Sequence, residues 1–105
     1  MGNTKHEGGT GLLDKLKDEV KEPPKYRVVL HNDDYTPMDF VVAILVQVFR
    51  YEQTRAVRIM LDVHTKGRGI AGVYTREIAE MKMAQTLSYA KQHENPLEVS
   101  IEPEA

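Results

Sequence analysis

Between Met38 and Phe49 the chain is apolar at every position except Asp39 and Gln47. A helix of that composition has little polar surface to offer water, so it is buried centrally or lines a pocket. It is too short to cross a bilayer, which takes about 20 consecutive apolar residues, and no other run comes closer. The rest of the 105 residues must therefore supply cover for a helix from Pro37 to about Arg50. That length allows one small domain and little else.

The flanking segments say what the cover is. Tyr26 to His31 is rich in β-branched and aromatic residues and reads as a strand. Asn32-Asp33-Asp34-Tyr35 follows as a turn, because short polar side chains bond the nearby backbone. Thr36 is expected to cap the apolar helix, with Pro37 at its first position and Asp39 favouring its positive end. A second helix is expected from about Glu52 to His64, with Ala56, Ile59, Met60 and Val63 on one face and Gly67 as its stop. Ile70 to Tyr74 is a short strand. Thr75 is expected to cap a third helix reaching Gln92, with Ile78, Ala79, Met83, Leu87 and Ala90 inward. Asn95-Pro96 ends it, and Leu97 to Ile101 alternates as a last strand. The order is β-α-α-β-α-β, an α+β two-layer sandwich with a three-stranded antiparallel sheet packed by three helices.

Composition removes several classes of function. Lys plus Arg is 14 and Asp plus Glu is 16, a net charge of −2, so no basic footprint for nucleic acid or an anionic membrane is expected. Cysteine is absent, which excludes disulfides, thiolate metal sites and cysteine nucleophiles. Met1 to Thr10 is polar and makes no signal-peptide core, and the sixth position lacks the Ser or Thr of a myristoylation signal. A cytoplasmic setting is expected. Residues 1–24 carry only Leu12, Leu13, Leu16 and Val20 as large aliphatics after Met1 and end in Pro23-Pro24. They read as a flexible extension to a domain spanning residues 25–105.

The densest polar cluster is His31-Asn32-Asp33-Asp34-Tyr35-Thr36, at a strand-to-helix junction. Turn and cap chemistry explains most such runs. His31, Asp33, Asp34 and His64 would also satisfy zinc in number, though no helix carries a His pair at i, i+4. No nucleophile elbow, phosphate loop or paired-carboxylate motif occurs. His64, at the end of the second helix, is explained equally well by attraction to the negative helix end. Met38, Met60, Met81 and Met83 suit core filling.

The segment Tyr26 to Met38, reading YRVVLHNDDYTPM, is similar to the signature of the ClpS adaptor family. The resemblance continues through Arg55-Ala56-Val57, Ile59-Met60-Leu61, Val63-His64, Gly67, Gly72-Val73-Tyr74-Thr75, Glu77-Ile78-Ala79-Glu80, Lys82 and Asn95-Pro96-Leu97. It spans essentially residues 25–103. It implies a non-enzymatic adaptor of the bacterial N-end rule, without a cofactor or metal. Such adaptors bind proteins whose first residue is Leu, Phe, Tyr or Trp and hand them to a ClpA-type unfoldase for degradation by ClpP. The implied fold is a compact α/β sandwich with an N-terminal extension, and it also resembles the C-terminal domain of the ribosomal stalk protein.

By the family pattern, Asn32, Asp33 and His64 receive the substrate's α-ammonium, which has three donors and no acceptor. Asp34 and Thr36 shape that site. Met38, Val41, Met60, Val63 and Leu97 match the apolar side-chain pocket. Met38 resembles the gatekeeper that crowds a β-branched first residue, so Met38→Ala is expected to admit Ile and Val. Protonation of His64 would replace an acceptor with a cation, so affinity is expected to fall as pH drops toward about 5. Glu77 and Lys82 match positions that contact the unfoldase's N-terminal domain, and residues 1–24, which match only as an extension ending in Pro-Pro, are expected to engage its pore. A monomer is expected. Two other readings stand beside this one: a stalk-like interaction domain that shares the fold without the pocket, and a small metal-binding protein using His31, Asp33, Asp34 and His64.

Overall fold

The structure, a computed structural model, describes residues 22–104. The extension expected over residues 1–24 lies outside them, except for Glu22, Pro23 and Pro24, which are exposed and lead into the first strand. The elements run β1 (Lys25–His31), α1 (Met38–Gln47), α2 (Gln53–Lys66), β2 (Arg68–Thr75), α3 (Arg76–Gln92) and β3 (Glu98–Pro103). The strands form one antiparallel sheet in the order β2-β1-β3. This is the expected two-layer α+β arrangement. No helix among the described residues is long and apolar enough to cross a membrane.

β1 is the central strand because its side chains can be buried on both faces. Val28, Val29 and Leu30 are all fully buried. Val28 and Leu30 join the core with Ala71 of β2, Val99 of β3 and Val41, Ile44 and Leu45 of α1. Val29 belongs to the other face, where β1 pairs its Arg27, Val29 and His31 with Glu102, Ser100 and Glu98 of β3. Arg68, opposite His31, reaches Glu102, opposite Arg27, at 2.7 Å. That ion pair joins the outer strands diagonally and so passes over Val29. Arg27 adds a longer contact to Glu102 at 3.4 Å. The hydrogen bond from Arg68 does most to hold the Glu102 carboxyl below its usual range.

The helices differ from expectation in instructive ways. α1 is buried at Val41, Ile44 and Leu45, whereas Val42, Ala43 and Val46 are half-buried. It is therefore covered on one side and flanked on others rather than enclosed. It stops at Gln47 instead of Arg50, because Arg50 turns the chain with a left-handed φ of 64°. Thr36 does not cap α1. Pro37 holds the capping position, and its carbonyl accepts from the N–H groups of Phe40 and Val41. Thr75 does sit at the cap of α3, but its hydroxyl makes no capping bond.

The inward stripe of α3 is Ala79, Met83, Thr86 and Ala90, at helical spacing. The expected inward residues Ile78 and Leu87 are instead exposed. Small residues let α3 approach the sheet, and the buried Thr86 hydroxyl satisfies itself by donating to the Lys82 carbonyl at 2.8 Å. Met81, expected in the core, is also exposed. β2 begins at Arg68 rather than Ile70 because Gly69 and Arg68 pair with Leu30 and His31. A Cβ on Gly69 would stand 2.8 Å from Val63 Cγ2 and 3.1 Å from the Ile59 carbonyl oxygen. That position must be glycine for α2 to lie this close to β2.

Candidate functional site

β1 delivers Asn32 to the junction where α2 ends and β2 begins. Gly67 closes α2 in the left-handed conformation, φ 86°, and donates its N–H to the Val63 carbonyl at 3.1 Å. Its own carbonyl accepts the Asn32 N–H at 2.9 Å. A backbone staple thus joins the polar loop after β1 to the last turn of α2, which carries His64. Asn32 and His64 are both exposed, and neither side chain has a hydrogen-bond partner among the described residues.

Asp33 is arranged the opposite way. One carboxylate oxygen accepts the N–H groups of Tyr35 at 2.8 Å and Thr36 at 2.7 Å. The other accepts the Thr36 hydroxyl at 2.7 Å. Partial burial raises the Asp33 pKa. The bonds from the Thr36 hydroxyl and from the Thr36 and Tyr35 amides together outweigh it, so the net shift is downward. Asp33 therefore organises the loop first. Thr36 is buried at its centre, while Asp34 and Tyr35 face solvent. The Asp-to-Thr hydroxyl and amide bonds replace the helix cap expected of Thr36: its side chain is spent three residues back, not on α1.

The expected apolar pocket residues all belong to the core or pack against it. Val41 of α1, Val63 of α2 and Leu97 before β3 are buried in one cluster, and Met38 and Met60 pack against it, half-buried. The five residues thus belong to, or pack against, the one core that α1, α2 and the segment before β3 share. His31 is directed elsewhere. Its Nε2 is hydrogen bonded to Ser100 Oγ at 2.7 Å on the sheet face that carries Val29. Among the described residues no three His, Asp or Glu side chains are grouped to hold a metal ion, so the four-residue zinc reading fails on geometry.

Glu77 and Lys82 lie on α3, away from this loop. Glu77 is exposed in the first turn. Lys82 is half-buried and donates to the Val48 carbonyl at 2.8 Å, with its ammonium 5.8 Å from the Phe49 ring centre. Val48 closes the C-terminal end of α1, whereas the polar loop precedes its N-terminal end. At about 1.5 Å per residue, α1 separates the two places by roughly 15 Å. Sequence reasoning missed this role of Lys82, because only the fold brings it to a residue 34 positions away.

Comparison with known proteins places the chain in a family. The family described as "ATP-dependent Clp protease adaptor protein ClpS" matches residues 21–100. The ATP-dependent Clp protease adapter protein ClpS of Xanthomonas campestris pv. campestris is 51% identical over 100 residues, 94% of each chain. The protein of that name from Hydrogenovibrio crunogenus is 50% identical over 91 residues, covering 87% of this chain and 88% of its own. Among solved structures, Agrobacterium tumefaciens ClpS2 bound to L-phenylalaninamide superimposes with a TM-score of 0.76 at 38% identity, covering 79% of this chain and all of that one, 100%. The chain belongs to the ClpS family of Clp protease adaptors.

Proposed function

We propose that this adaptor captures proteins through a free N-terminal Leu, Phe, Tyr or Trp and delivers them, without catalysis, to a ClpA-type unfoldase for degradation by ClpP. The observation that carries this reading is the backbone staple from Asn32 to Gly67, which sets the exposed Asn32 and the last turn bearing His64 at one junction. Asn32 offers a carboxamide oxygen and His64 an unprotonated ring nitrogen to an ammonium. Asp33, with three accepted bonds, contributes mainly its negative charge. Asp34 and Thr36 complete the loop. Met38, Val41, Met60, Val63 and Leu97 receive the side chain, whose full burial is worth roughly 1.5–3 kcal/mol. The relative's ligand, L-phenylalaninamide, supports the reading because it joins a free amine to an aromatic side chain.

The unfoldase's N-terminal domain is taken to dock on the α3 surface bearing Glu77 and Lys82, with residues 1–24 reaching its pore. The adaptor acts as a cytoplasmic monomer. The decisive experiment compares fluorescence anisotropy of one labelled Leu-first peptide with a free amino terminus and the same peptide acetylated. Acetylation removes the charge and leaves acceptors unpaired, a penalty of about 1–3 kcal/mol or more. Binding of the free form alone is expected. Equal binding of both overturns the reading and leaves a stalk-like interaction domain.

A further inference from the structure

The turn that follows α1 gathers cations that the capture of a first residue does not use. Residues 48–58 hold Arg50, Arg55 and Arg58 against a single acid, Glu52, in a chain whose net charge is −2. The turn is built around two aromatic residues. The rings of Phe49 and Tyr51 stack nearly parallel, 7° apart in plane with centres 6.4 Å apart. Phe49 is buried, and the Tyr51 hydroxyl donates to the Ala71 carbonyl of β2 at 2.6 Å, which fixes the stack to the sheet. The Arg55 guanidinium lies 4.5 Å from the centre of the Tyr51 ring, and the Lys82 ammonium 5.8 Å from that of Phe49. Both distances are within cation–π reach. One stacked pair of rings thus holds a cation from α2 and a cation from α3. Arg50 stands between the two ring-bearing residues and is exposed, at a left-handed φ of 64° that glycine adopts at less cost.

Support of α1 does not account for this group. The negative end of a helix attracts cations, and Lys82 meets that demand through its bond to the Val48 carbonyl. Arg27, Arg68 and Arg76 are each paired with a glutamate, whereas Arg50 and Arg55 have no ion pair among the described residues. We infer that Arg50, Arg55 and Lys82 form one docking shelf, which receives a carboxylate-bearing segment of the unfoldase's N-terminal domain. The inference rests on the reading in which that domain docks at Lys82. Lys82 joins the shelf to the α3 surface because it touches Val48 and Phe49 itself. A guanidinium presents a planar fork that matches a carboxylate with two parallel bonds. One already held against a ring has less freedom to lose on binding. Glu77, earlier on α3, adds an exposed charge of opposite sign, so the partner is met by both signs in a fixed order.

The test uses the full-length adaptor and the intact ClpA-type unfoldase, with association followed by biolayer interferometry at several salt concentrations. Arg50→Gly removes a charge and relieves the left-handed backbone. Arg55→Gln removes a charge at an exposed helix site. Each is expected to slow association about five-fold and to flatten its salt dependence. Thermal unfolding no lower than that of the natural protein, and unchanged binding of a free-Leu peptide, are expected to accompany both. Unchanged association in both variants, while Glu77→Gln still weakens capture, overturns the shelf alone. A slowdown that keeps the full salt dependence overturns it too, because lost charge would not be its cause. Failure of the natural protein to bind the unfoldase, or full capture by both arginine variants and by Glu77→Gln, overturns the docking reading and the shelf with it.

Discussion

The two ends of α1 are complemented by opposite charges, and each charge is spent differently. Before the N-terminal end, Asp33 bonds the amides of its own loop, and Asp39 lies in the first turn. At the C-terminal end, Lys82 from α3 covers the Val48 carbonyl. Both placements suit the helix dipole. They differ in what they leave open. Asp33 is saturated locally, whereas its neighbour Asn32 and His64 in the last turn of α2 are exposed and carry no internal side-chain bond among the described residues. Lys82 is occupied by a distant element, so only Glu77 of the α3 pair is wholly available to a partner. A charge that holds the fold and a charge that meets a ligand are separable by substitution.

The largest effect is expected from Asp33→Ala. It removes a charge and three internal bonds, so urea denaturation is expected to show a loss of about 2 kcal/mol, together with loss of peptide binding. A stable variant that still binds would mean the loop does not need its carboxylate. Asn32→Ala and His64→Ala sharpen the contrast. Each is expected to weaken free-Leu peptides ten-fold or more, about 1.4 kcal/mol, while stability stays within about 0.5 kcal/mol.

At the other end, Lys82→Gln is expected to cost about 1 kcal/mol of stability in addition to weakening capture of the unfoldase's N-terminal domain. Glu77→Gln should weaken capture with stability unchanged. Pull-down and thermal unfolding of both variants separate the contributions. If Lys82→Gln unfolds like the natural protein, its bond to Val48 carries no weight.

The smallest effect is in acid. The folded Asp33 carboxyl titrates below its ordinary 3.8. Its stabilising contribution is therefore complete above that value and is lost as pH falls through the lower folded one. Unfolding midpoints measured from pH 6 down to 2 are expected to converge with those of Asp33→Asn only at the acid end. Parallel curves would contradict the assignment.

The fold was largely legible in the sequence because its strands are short and distinctive and its helices have clear stops. The left-handed end at Gly67 and the order of all six elements were readable from local chemistry. The face of α3 was legible in part: Ala79, Met83 and Ala90 face inward as expected, whereas Ile78 and Leu87 are exposed and Thr86, not named, is buried. A threonine that satisfies its own hydroxyl looks polar in a sequence and behaves as a small core residue. The polar loop stood out as a cluster, but the division of labour within it was hidden. Asp33 and Thr36 bond each other across three residues, a choice no composition or period encodes. The partner of Lys82 was invisible for a simpler reason, its distance along the chain.

The staple between Asn32 and Gly67 has a consequence for how such a chain can change over generations. The bonds that set the spacing between the loop and the last turn of α2 run from backbone to backbone. Thr65 and Lys66, both exposed, are therefore open to drift in identity. The number of residues between His64 and Gly67 is not. One residue gained or lost there would rotate His64 by about 100° around its helix relative to the glycine and break the register of the junction. This stretch should accept many substitutions and almost no insertions or deletions.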